Sequence, residues 1–182
     1  MVGPNSVTAV PAERLSGKVA IVTGGGKRSD TEEIGIGYAT AVLFARAGAR
    51  VVVADLSEEN AQRTCRDIAA ESGEATAVFA DVSDGAKCKS MVDAAVERYG
   101  ALNVLVNNAA AHGKSTIDVL DEENFDLNVA VNLKGPALAT KYAIPAMVDS
   151  GGGSIIYHSS IDAIAAPYNK TVPYSVSKGG LE

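Results

Sequence analysis

Two side chains near the C-terminal end of the sequence, Tyr174 and Lys178, stand four residues apart. On a helix, positions i and i+4 share a face, so a phenol and an ammonium would meet there. A tyrosine hydroxyl ordinarily has a pKa of about 10 and is a poor base at neutral pH. A neighbouring cation favours the phenolate, and a drop of three units would be worth about 4 kcal/mol. Such a pair could shuttle a proton in a carbonyl–alcohol interconversion. The blander alternative is a half-exposed helix pair, because Tyr-x-x-x-Lys arises readily by chance. Upstream, Ser159-Ser160 follows an apolar run, and a hydroxyl there could hold the reacting oxygen. A serine nucleophile fits less well: no Gly-x-Ser-x-Gly elbow surrounds the pair, and neither His112 nor His158 has triad spacing. His158 reads as a packed strand residue and His112 as a loop residue.

A second constellation lies near the N-terminal end. Val19-Ala20-Ile21-Val22 runs into Thr23-Gly24-Gly25-Gly26, which Gly35-Ile36-Gly37 closes before a helical pattern begins. A strand, a glycine-rich turn and a helix start form a site for the pyrophosphate of a dinucleotide. Glycines permit close backbone approach, and the helix offers free N–H groups and a positive dipole end. An insert from Gly26 to Ile34 lengthens the turn. Asp55 ends the next apolar run, thirty-one residues beyond Gly24, against a usual interval of about twenty. A carboxylate there can accept both ribose hydroxyls and repel a 2′-phosphate, which favours NAD over NADP. Lys27 and Arg28 could oppose that preference, although Asp30, Glu32 and Glu33 offset them. Asp81 repeats the pattern one strand later, either at the adenine rim or capping a helix with Ser83.

The elements that must position these groups alternate regularly. Strands are expected at Val19–Thr23, Val51–Ala54, Ala75–Ala80, Leu102–Val106 and Ser154–His158. Helices are expected at about Gly35–Ala47, Glu58–Glu71 behind Ser57, Ser83–Tyr99, Asp121–Val148 and from Tyr174 onward. This alternation implies right-handed crossovers and a Rossmann-like doubly wound parallel sheet of the α/β class. One domain over residues 15–182 follows, behind a loose arm at 1–14.

With 182 residues, 47% of them apolar, the chain can bury a substantial core. A formal net charge of −6 argues against nucleic acid as a partner. No segment is apolar enough for a membrane span. Cys65 and Cys88 lack metal spacing and read as reduced packing residues, as expected of a cytoplasmic protein.

Taken together, the sequence resembles the short-chain dehydrogenase/reductase family. The resemblance rests on Thr23-Gly24…Gly35-Ile36-Gly37, Asp55, Asp81-Val82, Asn107-Asn108-Ala109-Ala110, Asn132 in Val131-Asn132-Leu133-Lys134-Gly135, Ser159-Ser160 and Tyr174-Ser175-Val176-Ser177-Lys178. It implies that Tyr174 is the acid/base and that Lys178 holds the nicotinamide ribose and favours the phenolate. Ser160, with Ser159 as the alternative, would orient the substrate oxygen. Asn132 would hold a water in a proton relay. Gly24, Gly35, Ile36, Gly37, Asp55, Leu56, Asp81, Val82, Asn108, Ala109, Tyr174 and Lys178 would line an NAD cofactor.

The implied function is hydride transfer between NAD(H) and a secondary alcohol or ketone, without a metal, in a protein that assembles as a dimer or tetramer. The sequence departs from the family at the long first turn and at Ala110, where the family has glycine. Family members also continue through two further strands and a substrate lid, so a C-terminally truncated chain is expected, with an exposed apolar edge at the fifth strand. A non-catalytic dinucleotide-binding fragment is the competing expectation. A dehydratase or epimerase using bound NAD is a third.

Overall fold

A computed structural model describes residues 13–29, 34–113, 115–165 and 171–182. Five parallel strands form one sheet in the order β3-β2-β1-β4-β5. They are β1 (Val19–Thr23), β2 (Arg50–Asp55), β3 (Glu74–Phe79), β4 (Val104–Asn107) and β5 (Ser154–Tyr157). Every residue of β1 and β4 is buried, as are the four middle residues of β2. Helices cover both faces of a parallel sheet, so these strands need no polar alternation, and runs such as Val51-Val52-Val53-Ala54 result. The strand-to-strand reversal falls between β1 and β4, and ligands of open α/β sheets bind at the carboxyl edge of such a point. The fold is thus the Rossmann-like α/β architecture expected.

The helices are α1 (Ile36–Arg46), α2 (Glu58–Ala70), α3 (Gly85–Tyr99), α4 (Glu122–Val129), α5 (Gly135–Asp149) and α6 (Val172–Gly179). One core layer packs Ile21, Val52 and Leu105 against Met91, Val92, Ala139 and Ala143 of α3 and α5. The other packs Val22, Val51, Val53 and Val106 against Ala41, Val42, Ala61 and Ile68 of α1 and α2. Cys88 lies in the first layer, where its thiol donates to the Val82 carbonyl. Burial pushes both the Cys65 and Cys88 thiols up to about 11, and both are free.

Several expected boundaries move, each for a local reason. The cap of α3 is Asp84, whose carboxylate accepts the Ala86 and Lys87 N–H groups, rather than Ser83. Helix α2 ends at Ala70, one residue short of the expected Glu71, and Ser72 takes the left-handed conformation after it, with φ of 65°. Strand β3 starts at Glu74 and stops at Phe79, and α6 starts two residues before Tyr174, with Pro173 in its first turn. The long helix expected over Asp121–Val148 is broken: a π-helical stretch, Ala130–Lys134, joins α4 to α5. Such wide turns are frequent at functional sites, and this one carries Asn132. Strand β5 is a sheet edge, and its Ile156 and Tyr157 are exposed. The arm expected over 1–14 lies outside the described residues except for Glu13 and Arg14, as do residues 30–33 of the insert.

Candidate active site

At the carboxyl end of β1 the chain turns at Gly24, where φ is +63°. A Cβ there would stand 2.9 Å from the Ala109 Cα, so the site suits glycine on two counts. Gly35 is the N-cap of α1, and Ile36 and Gly37 form its first turn. A Cβ on Gly37 would collide with the Gly24 carbonyl and the Asn108 amide. Glycine brings the helix start directly onto the strand end. Among the described residues no side chain caps α1, and its first turn holds no acid, an arrangement whose N–H groups suit an anion. That cradle fits a dinucleotide pyrophosphate.

Asp55 stands at the same edge, at the end of β2. Its Oδ2 accepts the Gly26 N–H at 2.9 Å and its Oδ1 accepts the Ser57 N–H at 2.9 Å. The carboxylate is held in place, with lone pairs left over for ribose hydroxyls. Leu56, next in sequence, is exposed, as is Ile36 at the start of α1. The first part of the insert is strapped to α2: Lys27 N donates to Asn60 O and the Thr64 hydroxyl to Gly25 O. Lys27 Nζ pairs with Asp67 at 2.8 Å and lies over the Tyr38 ring, while the Tyr38 hydroxyl donates to the same carboxylate at 2.9 Å. The Lys27 hydrogen bond, above all, lowers the Asp67 pKa. Asp81 is occupied locally, since its Oδ1 accepts both the N–H and the hydroxyl of Ser83. The Val82 side chain is part of the core, so only its backbone can meet a ligand.

Strand ends β1 and β4 are stitched together around Thr23. Its hydroxyl accepts from the N–H groups of Asn108 and Ala109 at 3.0 and 3.1 Å. Asn108 Nδ2 returns bonds to the carbonyls of Thr23 and Gly24. Because Nδ2 faces two carbonyls, Oδ1 must face His158, and His158 Nδ1 at 2.9 Å must be the donor. The adjacent Ala110 is half-buried, so the methyl that replaces the family's glycine is accommodated.

The proposed acid–base residues meet on the other side of the cleft. Lys178 is only 3% exposed, and its Nζ donates to the His158 carbonyl at 2.6 Å and lies 5.6 Å from the centre of the Tyr174 ring. The half-exposed alternative therefore does not describe Lys178. Burial pushes the Lys178 pKa down, and no carboxylate pairs with it among the described residues. The Tyr174 ring is partly exposed and stacks on His112 with centroids 4.5 Å apart. Ser160 caps a short turn by accepting the Asp162 N–H, and no direct bond joins it to Tyr174 among the described residues. Ser159 Oγ is buried without a hydrogen-bond partner among the described residues.

Asn132, fully buried, clamps the loop after β4 to α6. Its Oδ1 accepts the Ala111 N–H; its Nδ2 reaches Ala111 O, Asn128 Oδ1 and Ser177 Oγ. Ser177 in turn donates to the Tyr174 carbonyl at 2.8 Å. Both Nδ2 hydrogens are thus committed within the protein, while Oδ1 keeps one lone pair beyond its bond from Ala111. Sequence reasoning missed three contributors. Asn128, four residues before Asn132, was discoverable from that spacing. Asp67 and the His158 side chain carry no local signal, because their partners are remote in sequence.

The profile of the short chain dehydrogenase family matches residues 18–182. The chain is 41% identical over 167 residues to an uncharacterized oxidoreductase of Thermotoga maritima, covering 92% of this chain and 62% of that protein. It is 34% identical to the 3-oxoacyl-[acyl-carrier-protein] reductase FabG of the same organism, covering 92% of this chain and 65% of the relative. The solved structure of a short chain dehydrogenase from Mycobacterium smegmatis superposes with a TM-score of 0.85 at 29% identity, covering 93% of this chain and 68% of that one. The chain belongs to the short chain dehydrogenase family. It spans less than two thirds of the length of the two Thermotoga relatives.

Proposed function

We propose that this chain forms the cofactor-binding and acid–base portion of an oxidoreductase that transfers a hydride between NAD(H) and a secondary alcohol or ketone. The observation that carries the reading is the buried Lys178 ammonium 5.6 Å from the Tyr174 ring, at the sheet edge that also carries the glycine cradle. Bound NAD(H) would supply the hydride chemistry at its nicotinamide. Tyr174 would pass a proton between its hydroxyl and the substrate oxygen, and Lys178 would supply the positive charge that favours the ionised phenol. Ser160 would hold the substrate oxygen. Asn132 is a positioning residue in this scheme, because through Ser177 it fixes the backbone that carries Tyr174.

Preference for NAD rests on Asp55, oriented by two N–H groups, and on Lys27, which Asp67 draws toward α2. The named activity of the Thermotoga reductase is that of an enzyme for a 3-oxo substrate, in keeping with a ketone. The test is near-ultraviolet NADH oxidation by the whole protein against a panel of ketones. Tyr174→Phe is expected to lower the rate by about 10²–10⁴-fold; an unchanged rate overturns the mechanism.

A further inference from the structure

His158 makes three hydrogen bonds to three different parts of the site. Its N–H donates to Asn107 O of β4 at 3.0 Å, its carbonyl accepts Lys178 Nζ at 2.6 Å, and its Nδ1 meets Asn108 Oδ1 at 2.9 Å. Asn108 passes the last bond on to the carbonyls of Thr23 and Gly24, at 2.9 and 3.1 Å. A continuous hydrogen-bonded path therefore runs from the Lys178 ammonium through His158 and Asn108 to the glycine turn. Of the three bonds made by His158, those to Asn107 and Lys178 are main-chain contacts that do not depend on its side chain. The link to Asn108 depends on the side chain, and specifically on a donor at the Nδ1 position.

We propose that the His158 side chain is a positioning residue that fixes the glycine turn against the end of β5, where the His158 carbonyl anchors Lys178 of α6, acting through its Nδ1 hydrogen. This rests on the reading that the turn holds a dinucleotide. Space around Gly24 is tight: Asn108 and Ala109, just beyond β4, crowd it, and Gly37 of α1 packs on its carbonyl. A small rotation of the Asn108 amide therefore moves the cradle itself. Neutral imidazole with its hydrogen on Nδ1 holds that amide from the side opposite the turn. Because Lys178 is anchored to the His158 main chain, loss of the side chain weakens cofactor binding while leaving the acid–base group in place. The signature is a raised KM for NADH with kcat nearly kept.

Three substitutions separate this from general packing. Asparagine places an amide donor where Nδ1 was, glutamine places one nearer Nε2, and leucine places none. NADH binding by fluorescence is expected to weaken about tenfold in His158→Leu and His158→Gln, and to stay within about twofold in His158→Asn, the scale of one net hydrogen bond. Wild-type affinity in His158→Leu, or failure of His158→Asn to restore it while the protein stays folded, overturns the proposal. A measurement without cofactor decides the matter independently. Imidazole nitrogen shifts should show hydrogen on Nδ1, and amide exchange at Thr23–Gly25 should quicken in His158→Leu; hydrogen on Nε2, or unchanged exchange, overturns it. If the wild type binds no NADH, the dinucleotide reading falls, and the shift and exchange data still judge the positioning role.

Discussion

Between Val19 and Asp55 the chain builds the turn side of the cleft from near neighbours: a strand, a glycine turn, a helix start and the end of the next strand. On the other side, Asn132 of the π-helical stretch bonds to Ser177, Lys178 to the carbonyl of His158, and His158 to Asn108. The first side is held by the steric fit of glycines and by backbone N–H groups on Asp55. The second is held by buried polar side chains in a network whose members lie far apart in sequence. Steric fit tolerates nothing larger than hydrogen at particular positions. A buried network tolerates no unpaired partner. The two halves should therefore fail differently.

The largest loss is expected on the network side. Asn132→Leu strands Ser177 and the Ala111 main chain, and should cost about 2–4 kcal/mol in urea unfolding along with most of the activity. A loss under about 1 kcal/mol would mean that the clamp is replaceable. On the turn side, Gly37→Ala drives a methyl into the Gly24 carbonyl and the Asn108 amide. It should cost about 1–3 kcal/mol, and NADH binding should fall by more than about tenfold while the far-ultraviolet spectrum is kept.

A smaller effect sharpens the contrast without breaking either half. Asp67→Asn weakens the tie that draws Lys27 to α2, and should raise the ratio of NADPH to NADH efficiency by about fivefold, or about 1 kcal/mol. Lys27→Ala added to it should remove the gain.

The smallest expected effect is on pH dependence. Burial, and then the charge of Lys178, lower the His158 pKa from its ordinary value near 6.5. As pH falls through 6.5 the unfolded histidine takes up a proton that the native one resists. The unfolded state then binds more protons, so native stability declines on acidification below about 6.5. Urea midpoints measured at neutral pH and at about pH 5 should diverge more in the wild type than in His158→Asn. Equal divergence would show that the imidazole does not contribute.

Much of the fold was legible because its signals are local. Val51–Ala54 could only be a strand buried on both faces, and Ser57 is the cap its sequence position suggested, accepting the Asn60 N–H. The break at Ala130–Lys134 was not legible, since nothing in Ala-Val-Asn-Leu-Lys forbids an ordinary helix; it is settled by what Asn132 bonds across the cleft. The contacts of Lys27 with Asp67 and Tyr38 were not legible either, since those partners lie forty and eleven residues away on separate helices.

The amino-acid sequence by itself determined the alternation of strands and helices, the glycine turn, the acid at the end of β2 and the pairing of Tyr174 with Lys178, because each depends on residues within a turn or two of one another. Only the tertiary structure decided that Lys178 would be buried against the His158 carbonyl, that His158 would present Nδ1 to Asn108, and that Asn132 would use its amide as a clamp. Those choices depend on which strand ends lie side by side. The sheet order, rather than any local preference, brings β1, β4 and β5 together.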